Sequence, residues 1–291
     1  MNKGALWVLL SYVIWGLLTM FWKLMAGVDA LFVLSNRIIW SMVFCGIILL
    51  FQGRGAEIKE QFKDKNELKM ILLAGITITI NWGLYIGAVM GGHILDASLA
   101  YFMYPLFSVV AGFLVFKERP HLLQWAAVGL ATIGVAISAV AYGKIPVFAL
   151  TIAVSFVSYG AIKKHIKVTG VMSVFMETLV VLPLALIYVF MKWGAVTIQP
   201  MQLWLLPVTG IVTSMPLIFY SKGMQVTPMT ISGLLMYINP TIQFSIGYLV
   251  YHEAFSRSQA WTFGFVWLGV GIFLINTLAN LKKNQHSKLG S

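Results

Sequence analysis

Tyr85–Glu118, YIGAVMGGHILDASLAYFMYPLFSVVAGFLVFKE, is written twice in this chain, and the second copy, Tyr220–Glu253, reads YSKGMQVTPMTISGLLMYINPTIQFSIGYLVYHE. At an offset of 135 residues, Tyr85 falls on Tyr220, Leu99 on Leu234, Pro105 on Pro240, Gly112 on Gly247, Leu114-Val115 on Leu249-Val250 and Glu118 on Glu253. The register holds onward through Gln124 and Gln259, Gly129 and Gly264, Gly134-Val135 and Gly269-Val270, and Ile137 and Ile272. These are twelve identities in fifty-three positions, where an apolar-rich composition supplies about four by chance, so the halves are read as a duplication. A weaker echo at an offset of 144 joins Ala5-Leu6, Ser11, Val13, Gly16 and Lys23 to Ala149-Leu150, Ser155, Val157, Gly160 and Lys167. Because the first apolar segment belongs to the repeat, it is expected to stay with the chain rather than be cleaved as a signal peptide.

Of 291 residues, 59% are hydrophobic and 10% charged, and the mean hydropathy is +0.87. That leaves too little polar surface to cover a soluble globule of this size, so lipid is the expected solvent. The single cysteine, Cys45, sits in an apolar run and reads as a core residue with no disulfide to make.

At about 20 apolar residues per crossing, ten spans are predicted: 4–25, 32–51, 70–89, 94–116, 121–141, 146–163, 172–191, 203–221, 229–251 and 259–280. The expected fold is an all-α polytopic membrane protein, with a first five-helix repeat over 1–143 and a second, plus a short cytoplasmic tail, over 144–291. The charged connector 52–69 reads as a solvated loop or short surface helix. With the amino terminus inside, fifteen basic residues fall on the cytoplasmic side: Lys3, Arg54, Lys59, Lys63, Lys65, Lys69, Lys117, Arg119, Lys163, Lys164, Lys167, Lys222, Lys282, Lys283 and Lys288. Four lie outside, Lys23, Lys144, Lys192 and Arg257. This positive-inside bias puts both termini in the cytoplasm and accounts for the formal charge of +11 without a nucleic-acid partner; anionic lipid headgroups are the natural counterpart.

Five spans per half is an odd number, so the second copy must enter the membrane from the opposite side. Inverted-topology repeats of this kind build many secondary transporters, with the binding site between repeats near the midplane and access switched by rocking. Residues that lipid rejects are the candidates to line the substrate site. Arg37 and Glu177 lie within spans two and seven, where a charge should face protein or water. Trp15, Tyr85, Tyr101, Tyr159, Tyr220 and Tyr237 supply aromatic walls, and Asn81 and Asn239 supply oriented hydrogen bonds. Interfacial placement is the expectation for Trp7, Trp193 and Trp204. Pro105 and Pro240 should bend spans four and nine and serve as hinges. Glu118 and Glu253 close those spans, with Arg119 and Arg257 as expected partners. His93, at the external start of span four, reads as a titrating group or a helix cap.

Several blocks carry a family resemblance: Asn81-Trp82-Gly83-Leu84-Tyr85-Ile86, Gly92-His93, Ala97-Ser98-Leu99-Ala100-Tyr101-Phe102 with Pro105, and Tyr237-Ile238-Asn239-Pro240-Thr241. Further matches are Trp15-Gly16 with Lys23, Arg37-Ile38 with Trp40-Ser41, Ser155-Phe156 with Tyr159-Gly160, and Glu177-Thr178-Leu179. The chain resembles the RarD group of the EamA-type drug/metabolite transporter superfamily over nearly its whole length. The resemblance implies a bacterial inner-membrane permease of ten helices, four from each half around a central cavity and the fifth of each at the back or at a homodimer contact. Asn36, Met90, Tyr104 and Asp96 depart from the His, Asn, Asn and Glu that the group usually carries at those positions.

The expected function is therefore secondary transport, outward, of a small organic metabolite or drug-like compound, with proton exchange as the coupling and no cofactor. The phosphate-cradling loop of an ATP-driven pump is missing from the sequence. A non-transporting membrane receptor or scaffold and an intramembrane enzyme are the rival classes. The enzyme reading lacks a metal-binding or nucleophile–base constellation at depth, since the histidines, at 93, 121, 165, 252 and 286, fall mostly at predicted span ends.

Overall fold

The computed structural model describes residues 3–90, 94–143, 147–252, 257, 260–272 and 275. His93, Lys144, Glu253 and the chain beyond 275 lie outside the described residues. The described chain is helical: α1 Lys3–Leu24, α2 Ala30–Phe51, α3 Gly55–Gln61, α4 Lys65–Met90, α5 Ile94–Leu114, α6 Leu122–Tyr142, α7 Val147–Lys163, α8 Val171–Lys192, α9 Pro200–Met224, α10 Met229–Met236 and α11 Ile238–Leu249, followed by α12 Ala260–Ile272. Among the described residues, six helices are long and apolar enough to cross a bilayer: Lys3–Leu24, Ala30–Phe51, Lys65–Ala88, Leu122–Ala141, Val171–Lys192 and Pro200–Met224. This is a polytopic membrane protein.

Local chemistry sets the helix ends. The Asp29 side chain accepts from Phe32 N at 2.7 Å and starts α2, and Asp64 accepts from Asn66 N and Glu67 N at 3.1 Å and starts α4. Each satisfies backbone donors that a helix leaves without partners in its first turn. Connector 52–69 contains α3, which buries no residue, as a surface helix should.

Span nine is not one helix but two. α10 ends at Met236 and α11 begins at Ile238, because Pro240 has no N–H to give to the Met236 carbonyl and its ring crowds that same group. Pro105, its repeat counterpart, lies inside α5, which runs through it. Of the two expected hinges, only Pro240 therefore stands beside a helix break.

The halves interleave. α1 packs on α9, α10 and α11; α2 on α8 and α9; α4 on α7 and α8; α5 on α7 and α10. The α6–α12 contact is reciprocal: a side chain at Gly134 would meet Thr262 O at 2.9 Å, and one at Gly269 would meet Ala127 O at 2.7 Å. Residues 127 and 134 become 262 and 269 at the repeat offset of 135, so one contact is made twice.

The two ends of the bundle differ. At one end meet the start of α1, α3, the start of α4, the α7–α8 loop and the close of α9, with a polar cavity of about 530 Å³ lined by Arg54, Glu57, Asp64, Glu67, Lys167 and Lys222, among others. This is the basic end. At the other, the close of α1 meets the start of α9 through Gln202, and the close of α8 meets Asp29 through Tyr188.

Candidate functional site

Towards the basic end the interior is closed by tyrosines. The Tyr12 hydroxyl lies 3.2 Å from that of Tyr104 and 2.9 Å from Ser232 Oγ, and the Tyr104 hydroxyl lies 3.5 Å from that of Tyr220. Tyr159 stacks on Tyr220 with ring centroids 5.8 Å apart and planes 11° apart. Phe156 packs on Tyr104, Tyr159 and Tyr220, and Trp15 packs on Tyr12, Phe156 and Tyr220. None of these four tyrosines is more than 2% exposed. Of the predicted site residues, Trp15, Tyr159 and Tyr220 come together here; Tyr12, Phe156 and Ser232 were not singled out from sequence. Tyr104 links Tyr12 to Tyr220 by its hydroxyl.

Glu177 sits beneath this layer and has a partner that sequence reading assigned elsewhere. Lys163, expected as a cytoplasmic surface charge, is 1% exposed and places Nζ 2.5 Å from Glu177 Oε1. Lys163 Nζ also donates to Ser173 Oγ at 2.6 Å, Ser173 Oγ donates to Glu177 Oε1 at 2.7 Å, and Tyr159 OH donates to Glu177 Oε2 at 2.9 Å. The signal was present in the spacing. Tyr159 and Lys163 are four apart on α7, Ser173 and Glu177 four apart on α8, so each pair shares a helix face. What was missing was that the two faces meet.

Arg37 occupies a separate, half-buried slot in the opposite half of the bundle. Its Nε donates to Thr213 Oγ1 at 2.9 Å, and its guanidinium carbon lies 4.4 Å from the Trp22 ring centroid and 4.9 Å from that of Trp82. Tyr85 and Tyr101, both half-buried, are close enough to act on its charge and pack edge to face with centroids 5.9 Å apart. An arginine at depth costs on the order of 3 kcal/mol on insertion scales; two cation–π contacts, each worth about 1 kcal/mol at a partly exposed site, offset much of that. Arg37 and Glu177, the two charges singled out within predicted spans, thus hold different partners.

The remaining candidates are buried and internally satisfied. Asn81 Nδ2 donates to Ile152 O at 2.8 Å and to Ser155 Oγ at 2.9 Å, joining α4 to α7. Tyr237 OH donates to Phe102 O at 3.3 Å, and Asn239 Oδ1 accepts from Gln243 Nε2 at 2.6 Å. Trp7, Trp193 and Trp204 are 37%, 68% and 82% exposed, which suits the interfacial placement expected of them.

Polar latches tie the halves together at each end. At the basic end Glu67, 4% exposed, accepts from Lys167 N and Val168 N at 2.8 and 2.9 Å. Glu118 takes its partners from across the bundle rather than from Arg119: Met229 N at 2.6 Å, Thr230 N at 2.9 Å and Lys164 Nζ at 4.0 Å. At the other end Gln202 Nε2 donates to Leu24 O at 3.2 Å and Ala26 O at 3.1 Å. Gln202 is Glu67 shifted by 135, and Leu24 is Val168 shifted back by 144, so the latches occupy matching places with different chemistry. The charges lining the cavity at the basic end are paired among themselves, Arg54 with Glu57 at 2.6 Å and Lys167 with Asp64 at 3.3 Å. Arg54 holds the Glu57 carboxyl below its ordinary range.

The EamA-like transporter family profile matches residues 2–140. Over 99% of this chain and 97% of its own length, an uncharacterized transporter of Bacillus subtilis, YojE, is 39% identical. Protein RarD of Streptomyces exfoliatus is 36% identical over 98% of this chain and 92% of its own, and Protein RarD of Escherichia coli 33% identical over 98% of each. One crystal structure matches with a TM-score of 0.73 over 93% of this chain and 97% of its own, at 15% identity, a likeness of fold. With full-length relatives at this identity, the chain belongs to the RarD group of the EamA-like transporter family.

Proposed function

We propose that this membrane transporter works by alternating access, as two inverted five-helix repeats that cross the membrane ten times and meet around a substrate site. The observation that carries the reading is the uneven burial along the bundle. Tyr12, Tyr104, Tyr159 and Tyr220 close the half nearer the basic end, while Arg37, Trp82, Tyr85 and Tyr101 in the other half stay half-buried. A continuous buried aromatic layer at one depth beside partly exposed polar side chains at another is compatible with one of the two states the mechanism requires. The reciprocal Gly134–Thr262 and Gly269–Ala127 contacts support a twofold relation between repeats, since an isologous contact is what such an axis produces.

In this reading both termini and the basic end face the cytoplasm of a bacterial inner membrane, and the conformation described is outward-facing. Opening inward requires the tyrosine layer to part and the Glu67 and Glu118 latches to release, with Pro240 beside the break that lets α10 and α11 move separately. Trp15, Arg37, Asn81, Tyr85, Tyr101, Tyr159, Glu177, Tyr220, Tyr237 and Asn239 form the surface exposed in turn to substrate. The cargo is a small organic compound carried outward in exchange for protons, and Glu177, held by Lys163 in the closed state, is a substrate-site or coupling residue.

Flux into and out of liposomes containing the purified chain, measured against a metabolite panel with and without a pH gradient, tests this. Expected is accumulation of at least one compound that depends on the gradient and is lost in Glu177→Gln. Saturable binding with no flux under any gradient would support the receptor reading and end this one. Labelling that placed Lys63 and Arg257 on one face of the membrane would end the inverted-repeat assignment.

A further inference from the structure

The geometry points to Arg37 as the anchor for an anionic group on the transported compound, so that the site takes small organic oxyanions, carboxylates or phosphate monoesters. This rests on the transporter reading above and narrows its substrate class.

A guanidinium carries five N–H donors in a planar fork. At Arg37 one of them, on Nε, is satisfied by Thr213 at 2.9 Å. No carboxylate among the described residues lies within salt-bridge distance of it, and Tyr85 and Tyr101 are close enough to act on its charge. The contrast with the other intramembrane charges is internal to the molecule. Lys163 and Glu177 neutralise each other at 2.5 Å and are 1% and 4% exposed, whereas Arg37 is half-buried with no countercharge.

The guanidinium carbon lies over the Trp22 and Trp82 rings, 4.4 and 4.9 Å from their centroids. The terminal nitrogens of Arg37 make no hydrogen bond among the described residues, and a fork with two open donors binds a carboxylate or phosphate through two parallel N–H bonds. A cation kept at membrane depth beside two indole rings, with no acid within salt-bridge distance among the described residues, is complete only when an anion arrives. Tyr85 and Tyr101, in edge-to-face contact with each other, supply aromatic surface and hydroxyls to the organic part of such a cargo.

The test is collisional quenching of the Trp22 and Trp82 fluorescence in the purified full chain, isolated by subtracting the signal of a Trp22→Phe/Trp82→Phe variant. Iodide, an anion, is expected to quench this component strongly, and Arg37→Gln to lower its quenching constant by at least about threefold, because local charge concentrates counter-ions in a low-dielectric cleft. Quenching by neutral acrylamide should stay within error. Arg37→Lys, which keeps the charge and loses the fork, should keep the iodide quenching and guards against a folding defect in Arg37→Gln.

In the wild type, benzoate or phenyl phosphate should relieve iodide quenching while neutral benzamide does not, and which of the two anions competes names the headgroup. An iodide constant unchanged in Arg37→Gln would overturn the inference. So would competition by benzamide equal to that of benzoate, or competition by neither anion. Gradient-dependent flux of a neutral compound without anion competition would defeat this inference and leave transport standing. Anion competition with no flux of any compound would do the reverse.

Discussion

Removing either partner of the Lys163–Glu177 pair should destabilise the protein far more than removing both. Lys163 and Glu177 are 1% and 4% exposed with N and O 2.5 Å apart, so neither charge can fall back on water. Breaking a buried pair from one side leaves an uncompensated charge and costs about 3–5 kcal/mol. Lys163→Met strands the Glu177 carboxylate, which keeps the Ser173 and Tyr159 hydroxyls at 2.7 and 2.9 Å, so its loss should sit near the lower bound. Glu177→Gln leaves the Lys163 ammonium with neutral acceptors only, Ser173 Oγ at 2.6 Å and an amide oxygen, and should sit near the upper. The double variant leaves an apolar chain facing a neutral amide and should lose about 1–3 kcal/mol, the desolvation cost of one imperfectly satisfied polar group. The predicted coupling is therefore about 3 kcal/mol or more, well above what independent sites show. The assay is reversible unfolding of the purified protein in mixed micelles, with the four variants compared as a cycle. Additive losses, within about 0.5 kcal/mol, would mean that the two groups do not share a buried site, and the account of the closed inner half would fall with them.

Three further outcomes follow from the same geometry. Glu67→Gln replaces a charged acceptor of two backbone N–H bonds by a neutral one and should shift the balance towards opening at the basic end by about 1–2 kcal/mol, read as a change in distance distribution between spin labels on the α3 and α7–α8 segments; an unchanged distribution would rule out the latch. Asp64 is held below the ordinary aspartate range first by the Glu67 backbone N–H and then by Lys167. A carboxyl depressed in the folded state stabilises above its unfolded pKa and loses that contribution as pH falls through the folded value. Hydrogen exchange in the α7–α8 loop should therefore rise on acidification from the ordinary aspartate pKa down through the lowered one, and Asp64→Asn should abolish the pH step. Gly210 lies against the Trp40 backbone so closely that any side chain overlaps it; Gly210→Val should cost about 1–3 kcal/mol through overpacking between α2 and α9, and a neutral result in the micelle unfolding assay would contradict the helix contact.

Much of this molecule could be read from its residues alone. Composition demanded lipid and the family blocks pointed to the group, because apolar length and motif are properties of the chain in one dimension. The spans predicted at 4–25, 32–51 and 172–191 fall within a few residues of α1, α2 and α8. Arg37 and Glu177 stood out from sequence because a charge inside an apolar run is conspicuous without coordinates. Only tertiary structure decided what those charges touch. Lys163 closes α7 where the chain looks ready for water, and its burial depends on α7 and α8 turning one face of each inward. Glu118 passes over its neighbour Arg119 to cap α10, because the helix start offers two free N–H groups in the right direction and the arginine does not. The break at Tyr237 arises where Pro240 takes a bond from Met236, yet the same residue at Pro105 leaves α5 whole, so the proline marks where a helix can yield and the packing around it determines whether it does.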